Sequence, residues 1–539
     1  MNLIKKIILS ILSFLFIVII SFLVYVYFPS KPALVQHQYQ NWNSGNVRHL
    51  LPSFDHEKIL VKVSLHSPVN TLLLKINNDE IIGKQNDPAG RFWQFYKEGL
   101  EPNSSYKLQI LGKNKNPITD PWNIRTFPLP DSLPEKLTIL TYTCAGGVEE
   151  NLFGNEIFLE MRARRELLKK GLTFNPDIVI ANGDHLYWDQ RSFQISFLKK
   201  ILAKRGDRKF GKLDLDQPML SKKNYQTFTQ IADAQIPDLY GCHLREQSVY
   251  FLPDDHDLFE NDEALPDLVT LPPKDYQLDG ARSTQLLYYP EFLSASNRSL
   301  DLPDYIDNEK KFSTSFGSIN YGNLAEINLF DCVRFCDLKG DDAHLVPPKA
   351  EEWLIERTDS TKAKWHIQVP STPMSYTAGK WSEWYPDILS KEGILTTDIG
   401  KYLWQKGWWN QHQRLLSAWS KAPRKPIIFQ GDLHMASFGT IEKSGNLDLA
   451  NNPIQVIGTA PLGTGKMGYP SAVRLVGATI PTGLEVKELM KPVEKNGFSI
   501  IEITPEEMVI NIYLWRKPEK IEDIKNLKPT FTTTIKIQS

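Results

Sequence analysis

The pattern of apolar and polar positions divides the chain into three stretches. From Ile8 to Phe28 the residues are uncharged, and three serines interrupt an otherwise apolar run. About 20 helical residues at roughly 1.5 Å rise each span a bilayer core of about 30 Å. A secretory signal would have a shorter apolar region ending in small residues, whereas this run ends in Tyr25-Val26-Tyr27-Phe28-Pro29. The stretch therefore reads as a retained transmembrane anchor over residues 8–28. Lys5 and Lys6 precede it, so residues 1–7 are expected on the cytoplasmic side and the remainder outside the cytoplasm, periplasmic or at the cell surface.

Residues 35–128 alternate with a period of two, as in Ile59-Leu60-Val61-Lys62-Val63 and Thr71-Leu72-Leu73-Leu74-Lys75-Ile76, between polar turn clusters. This predicts a small all-β unit. Gly99-Leu100-Glu101-Pro102-Asn103 followed by Tyr106-Lys107-Leu108 resembles the turn and strand of a fibronectin-type sandwich. A proline-bearing linker, 128–134, closes the unit. Beyond it strands and helices alternate, which predicts an α/β sheet covered by helices over 137–516. Expected strands are 137–143, 177–181, 249–252, 325–330, 365–369 and 427–429, with helices over 156–170, 350–356 and 411–422. The segments 498–504 and 508–515 read as a strand pair, and 517–539 as a carboxyl-terminal extension.

Composition narrows the function classes. The 539 residues exceed one ordinary domain, and a net charge of −1 gives no electrostatic footprint for nucleic acid. Four cysteines are too few for a disulfide framework. Cys332 and Cys336, four apart on a strand, would lie about 13 Å apart, too far to bridge. The basic stretch 199–212, with Lys204, Arg205, Arg208 and Lys209, reads as a solvated loop, with a phosphate- or lipid-facing flap as the other reading.

Candidate chemistry sits where predicted strands end. Thr141-Tyr142-Thr143-Cys144, Asn182-Gly183-Asp184-His185-Leu186-Tyr187, Asp254-Asp255-His256-Asp257 and Gly431-Asp432-Leu433-His434 each follow an apolar stretch. In open α/β sheets, ligands gather outside the carboxyl ends of strands. Thiolate, phenolate and imidazole suit iron, whereas carboxylate oxygens suit calcium or magnesium.

Gly-Asp-x-x-Tyr, Asp-Asp-His-(Asp/Glu) and Gly-Asp-x-His, in this order after a strand-closing cysteine, resemble the alkaline phosphatase D (PhoD-like) family of metallophosphoesterases. The resemblance implies a four-layer αββα sandwich holding two metal ions, ferric iron beside calcium or another divalent ion. It implies that Asp184 bridges both metals and acts in catalysis. Cys144, Tyr187 and His434 would bind the iron, Asp255 and Asp432 the second ion, and His256 would protonate the leaving group. A hydroxide generated between the cations would then attack phosphorus in line, cleaving phosphodiesters, phosphomonoesters or both.

Other residues keep two readings. Arg334, in Asp331-x-x-Arg334, could hold phosphate or pair with Asp331. Asn261, Asp254 and Asp257 could orient the acid motif and its substrate or cap a helix. His185 could face substrate or pack. Many two-metal phosphoesterases also have a mid-chain histidine ligand, which the sequence does not locate; the strand edge that would carry it falls either at Trp365-His366 or at Gln368-Val369-Pro370-Ser371. Cys144-Ala145-Gly146-Gly147 departs from the Cys-Gln of many relatives, which predicts a smaller, more open mouth. Ala460-Pro461-Leu462-Gly463-Thr464-Gly465-Lys466-Met467 lacks the first glycine and the hydroxyl of a P-loop, and reads as a turn beside the site. Trp404, Trp408, Trp409 and Trp419 read as core or as the wall of an apolar groove. The expected substrate is a phosphate ester, with lipid and envelope polymer among the candidates. The contrasting reading is a membrane-tethered binding or envelope-organising protein on a degenerate fold, which would have lost some of the motif residues.

Overall fold

The computed structural model describes residues 3–27, 35, 37–148, 151–152, 155–188, 209–259, 275–295, 298–299, 301–303, 311–337, 342–377, 406–474, 477–481 and 483–537. The apolar run forms a helix, Leu3–Tyr27, whose section Ile4–Val24 is unburied and long enough to cross a membrane. A membrane span and a signal sequence share these features. The helix takes in Lys5 and Lys6, so most of the tail expected at 1–7 is helical.

The alternation in 35–128 produces two antiparallel four-stranded sheets. One has the order Val47–Phe54, Lys58–Leu65, Phe92–Glu98, Lys84–Gln85; the other has Asp79–Ile82, Leu72–Ile76, Ser105–Gly112, Trp122–Arg125. Their alternate residues, among them Val61, Val63, Leu72, Leu74, Trp93, Phe95, Leu108 and Ile110, share one apolar cluster.

Two larger sheets build the rest. The first orders Ser248–Leu252, Ile178–Asn182, Leu137–Tyr142, Asn496–Ile503, Glu507–Trp515 and Phe531–Lys536, with the first three parallel. The second runs Phe316–Tyr321, Ala325–Phe330, Trp365–Pro370, Pro426–Gln430, Ile454–Gly458, Ala436–Ser444, and Leu484–Val493 pairs with the last of these. Successive strand residues point to opposite faces, and the burial follows. Ile139, Ile180, Ile427 and Phe429 enter the cluster between the two sheets. Leu140, Val179 and Ala181 instead meet helices Met161–Leu172 and Tyr225–Asp233. Ile428 and Val456 meet Trp353, Trp408, Trp409, Leu416 and Trp419 on helices Pro348–Ser360 and Lys406–Lys421. The layers are helix, sheet, sheet, helix. Trp408, Trp409 and Trp419 are core; Trp404 lies outside the described residues.

Boundaries differ where the chain finds other partners. Asn155–Glu156 pairs with Asn151–Leu152, so the helix expected from 156 starts at Met161. Pro348 occupies a first-turn position, where its missing N–H costs nothing, and starts its helix two residues early. The extension expected at 517–539 carries Phe531–Lys536, an edge strand of the first sheet. All four cysteines are buried thiols.

The amino-terminal sheets are locked to the larger ones by buried charge. Asp233 accepts from Arg48 at 2.6 Å and Arg91 at 2.9 Å. Lys62, with a fully buried side chain, meets Glu291 at 2.8 Å, and Arg282 approaches the same carboxylate at 2.9 Å. Removing one partner of such a pair costs about 3–5 kcal/mol, because the other charge stays buried without compensation. Glu291→Leu is therefore expected to lower stability by about that amount in urea denaturation of the full chain.

Candidate metal centre

The four motifs leave the sheets at adjacent strand ends. Leu137–Tyr142 leads to Cys144, Ile178–Asn182 to Asp184, Ser248–Leu252 to Asp255, and Pro426–Gln430 in the second sheet to Asp432. Side chain and backbone tie the sheets there. The Asn182 amide donates across to the carbonyls of Pro370 (3.0 Å) and Phe429 (3.2 Å). The Asp432 N–H donates to Thr143 Oγ1 at 3.1 Å, and Thr143 pairs in parallel with Pro461.

Each motif then turns sharply. Cys144, Asp184, Asp432 and His434 have φ of 46°, 59°, 71° and 54°. Left-handed backbone at residues with a Cβ costs of order 1–3 kcal/mol each and concentrates at functional sites. The glycines of the two Gly-Asp pairs have separate reasons. Gly183 sits at φ 84°. A Cβ on Gly431 would lie 2.5 Å from the Asn182 carbonyl and 2.9 Å from Thr143 Oγ1. Only glycine lets the second sheet approach the first that closely.

The turns bring the donors together. Donor atoms of Cys144, Asp184 and His434 lie within 4.8 Å of one another, as do those of Asp184, Asp255 and His256, and those of Asp254, Asp255 and Asp432. Asp184 and Asp255 are each shared by two groups, so the set is continuous. Tyr187 joins it: its hydroxyl donates to Asp184 Oδ2 at 3.0 Å and lies 3.1 Å from His434 Nε2. His434 Nδ1 is 2.6 Å from the Gly468 carbonyl, a contact that assigns its proton to Nδ1 and turns Nε2 toward the cluster. Asp432 and His434 are half-buried, so the site reaches the surface on their side.

The donor set fits metal ions. Asp184 Oδ1 and both oxygens of Asp254 are buried without a protein hydrogen-bond partner. Burial, reinforced by the charge of Asp432, pushes both carboxyls well above their ordinary range. Burial and the charges of Asp184 and Asp432 push the Cys144 thiol up as well. Acids held this way call for a cation.

Sequence reasoning assigned Asp255 to the second ion but gave Asp254 no place there. The doubled acid was the available signal, and burial now singles out its first member. His256 is 8% exposed and its ring lies tilted at 33° against that of Tyr187, centroids 4.0 Å apart. Arg334 Nε lies 3.5 Å from Asp331, and its Nη1 donates to Thr314 at 2.5 Å. Asn261 falls outside the described residues, as do Lys204, Arg205 and Arg208.

His185 is packed against Phe251 and Tyr289 with Nε2 2.7 Å from the Leu252 carbonyl, so it does not face substrate. His366 is buried near the amino end of its strand beside Asn328 and Gln368, at the opposite end of the sheet from the centre. The strand edge beside the centre carries Ser371 in its place. Residues 145–148 are buried rather than forming an open mouth. A Cβ on Gly146 would meet the His185 carbonyl at 2.4 Å, and Arg164 Nη1 donates to the carbonyls of Gly146 and Gly147. The P-loop-like segment spends its amides on this same turn, Leu462 N–H to Thr143 O and Gly463 N–H to Cys144 O, both at 2.8 Å.

No family model matches the sequence, and no curated protein matches it either. Solved structures do resemble the fold. PhoD aligns over 93% of this chain and 90% of its own, at 12% identity and a TM-score of 0.57. Purple acid phosphatase PPD1 from yellow lupin (Lupinus luteus) seeds aligns over 92% of this chain and 75% of its own, at 13% identity and a TM-score of 0.51. The chain therefore has the mixed sheet-and-helix fold of these two proteins.

A carboxyl whose folded pKa is raised stabilises the fold below its unfolded pKa, and that stability is lost as pH rises through the folded value. Asp254→Asn is thus expected to raise the melting temperature of chelator-treated protein, with a small gain near pH 4 that grows toward pH 8. The same variant should lose part of the stabilisation that added divalent cation gives the wild type, measured by thermal unfolding with and without the ion.

Proposed function

We propose that this chain is a PhoD-like, metal-dependent phosphoesterase that works outside the cytoplasm, tethered by its amino-terminal helix. The observation that carries the reading is the convergence of a thiol, a phenol, imidazoles and carboxyls at adjacent strand ends, where Asp184 Oδ1 and both Asp254 oxygens have no protein hydrogen-bond partner. PhoD and the lupin phosphatase share the fold, and their names denote phosphatases. The strand orders of the amino-terminal unit support a fibronectin-type sandwich.

Cys144, Tyr187 and His434 would hold ferric iron, Asp255, Asp432 and Asp254 calcium or another divalent ion, and Asp184 would serve both. Two such ions, when bound, polarise phosphoryl oxygens and bring the pKa of water near neutrality. The chain does the rest. The half-buried Asp432 and His434 leave one side for a phosphate ester to enter. His256, held by its ring contact with Tyr187, donates the proton that the leaving oxygen needs. The left-handed turns fix the donors before substrate arrives, so little reorganisation is needed during the reaction. Phosphodiesters and phosphomonoesters both fit, including lipid headgroups and envelope polymers. A binding protein on a degenerate fold would be expected to have lost donors, yet Cys144, Asp184, Asp255, His256, Asp432 and His434 are all present.

Asp184→Asn is expected to abolish hydrolysis of an aryl phosphodiester, and unchanged turnover would overturn the assignment. His256→Ala should slow turnover about 100- to 10,000-fold while metal content, read by elemental analysis, stays at the wild-type level. Iron(III) bound by Cys144 and Tyr187 would give the purified protein visible charge-transfer absorption, whose phenolate component should disappear in Tyr187→Phe; a colourless active protein would point to zinc or manganese.

A further inference from the structure

Asp257 ends the Asp254-Asp255-His256-Asp257 motif, yet neither of its oxygens belongs to the donor groups of the centre. Its carboxylate, 2% exposed, accepts from four backbone amides instead. Oδ1 takes the N–H groups of His185 (3.1 Å) and Leu186 (2.8 Å). Oδ2 takes those of Asp184 (2.9 Å) and Asp254 (3.0 Å). These amides belong to two different strand ends. None lies in the short turn His256–Leu258 that contains Asp257, so the carboxylate caps no helix of its own.

The Asp184 amide needs such an acceptor. At φ 59° the residue has left its strand, and Asp184 and His185 are both fully buried, away from water. One carboxylate thus ties the backbone of Asp184, His185 and Leu186 to that of Asp254, the residue that precedes Asp255 and His256. Hydrogen bonds to an ionised acceptor are about twice as strong as neutral ones.

We infer that Asp257 is a positioning residue that sets the spacing between the Asp184 carboxylate and the Asp255–His256 pair. The inference rests on the metal-centre reading above. Its chemistry is specific. Turned either way, an asparagine would set an NH2 group against at least two backbone N–H donors. A glutamate keeps two acceptor oxygens at the cost of one methylene.

The test uses the full-length protein in detergent, stripped with chelator and titrated with Mn2+, with thermal unfolding and steady-state hydrolysis followed in parallel. Asp257→Asn should weaken Mn2+ binding about 10- to 100-fold and lower kcat more than it raises KM, and Asp257→Glu should recover most of both. Asp257→Asn binding Mn2+ like the wild type, with only its melting temperature lowered, would overturn the inference. A wild type that binds no Mn2+ would overturn the metal-centre reading itself. A measurement on the wild type covers the case in which the asparagine variant does not fold. The amides of Asp184, His185, Leu186 and Asp254 should exchange with solvent deuterium as one slow set, and exchange of Asp254 independent of the other three would refute the shared acceptor.

Discussion

Asp184 Oδ1 and both carboxyl oxygens of Asp254, buried without a protein hydrogen-bond partner, are the constraint that the rest of the molecule accommodates. A buried polar atom without a partner costs about 1–3 kcal/mol, and left-handed turns at Cys144, Asp184, Asp432 and His434 add to that. Such an arrangement persists only on a scaffold that leaves the turns no alternative. Two sheets packed face to face supply it. Their strand ends are stapled by Asn182 and Thr143, and the carbonyls of residues 145–147 are gripped by the buried Arg164 guanidinium.

Much of this was legible in the residues. Strands such as 325–330 and 427–429 were readable because both faces are covered, which gives short continuous apolar runs bounded by turns. The motifs were readable because strand-ending Gly-Asp pairs and a doubled acid are conspicuous whatever surrounds them. Pairing between distant segments was not. Nothing local to Phe531–Lys536 says that it edges the sheet begun by Leu137–Tyr142, and its exposed threonines read as tail. The glycines after Cys144 were misread for a related reason. Small residues imply open space when seen alone, whereas here they answer to the His185 carbonyl and the Phe158 ring pressing on them. The different fates of Asp254, Asp255 and Asp257 depend on which way a single turn points each carboxylate, which periodicity does not encode.

The amino-terminal sheets are more than an appended module. Arg48, Arg91 and Lys62 reach from their strands to Asp233 and Glu291, and Phe54 exchanges hydrogen bonds with the hydroxyl of Ser248. Ser248 begins the strand that leads to Asp255. Charge and backbone thus join this unit to an element that carries part of the candidate metal centre, and the alignment with PhoD covers 93% of the chain.

The pairing of Leu137–Tyr142 with Asn496–Ile503 has a bearing on biogenesis. A chain made from its amino end presents its first central strand long before the partner that flanks it exists. Until then one edge of an apolar strand stands bare, the kind of template on which misfolded chains join. That side of the strand closes only when residues 496–503, more than 350 positions further along the chain, fold back beside it.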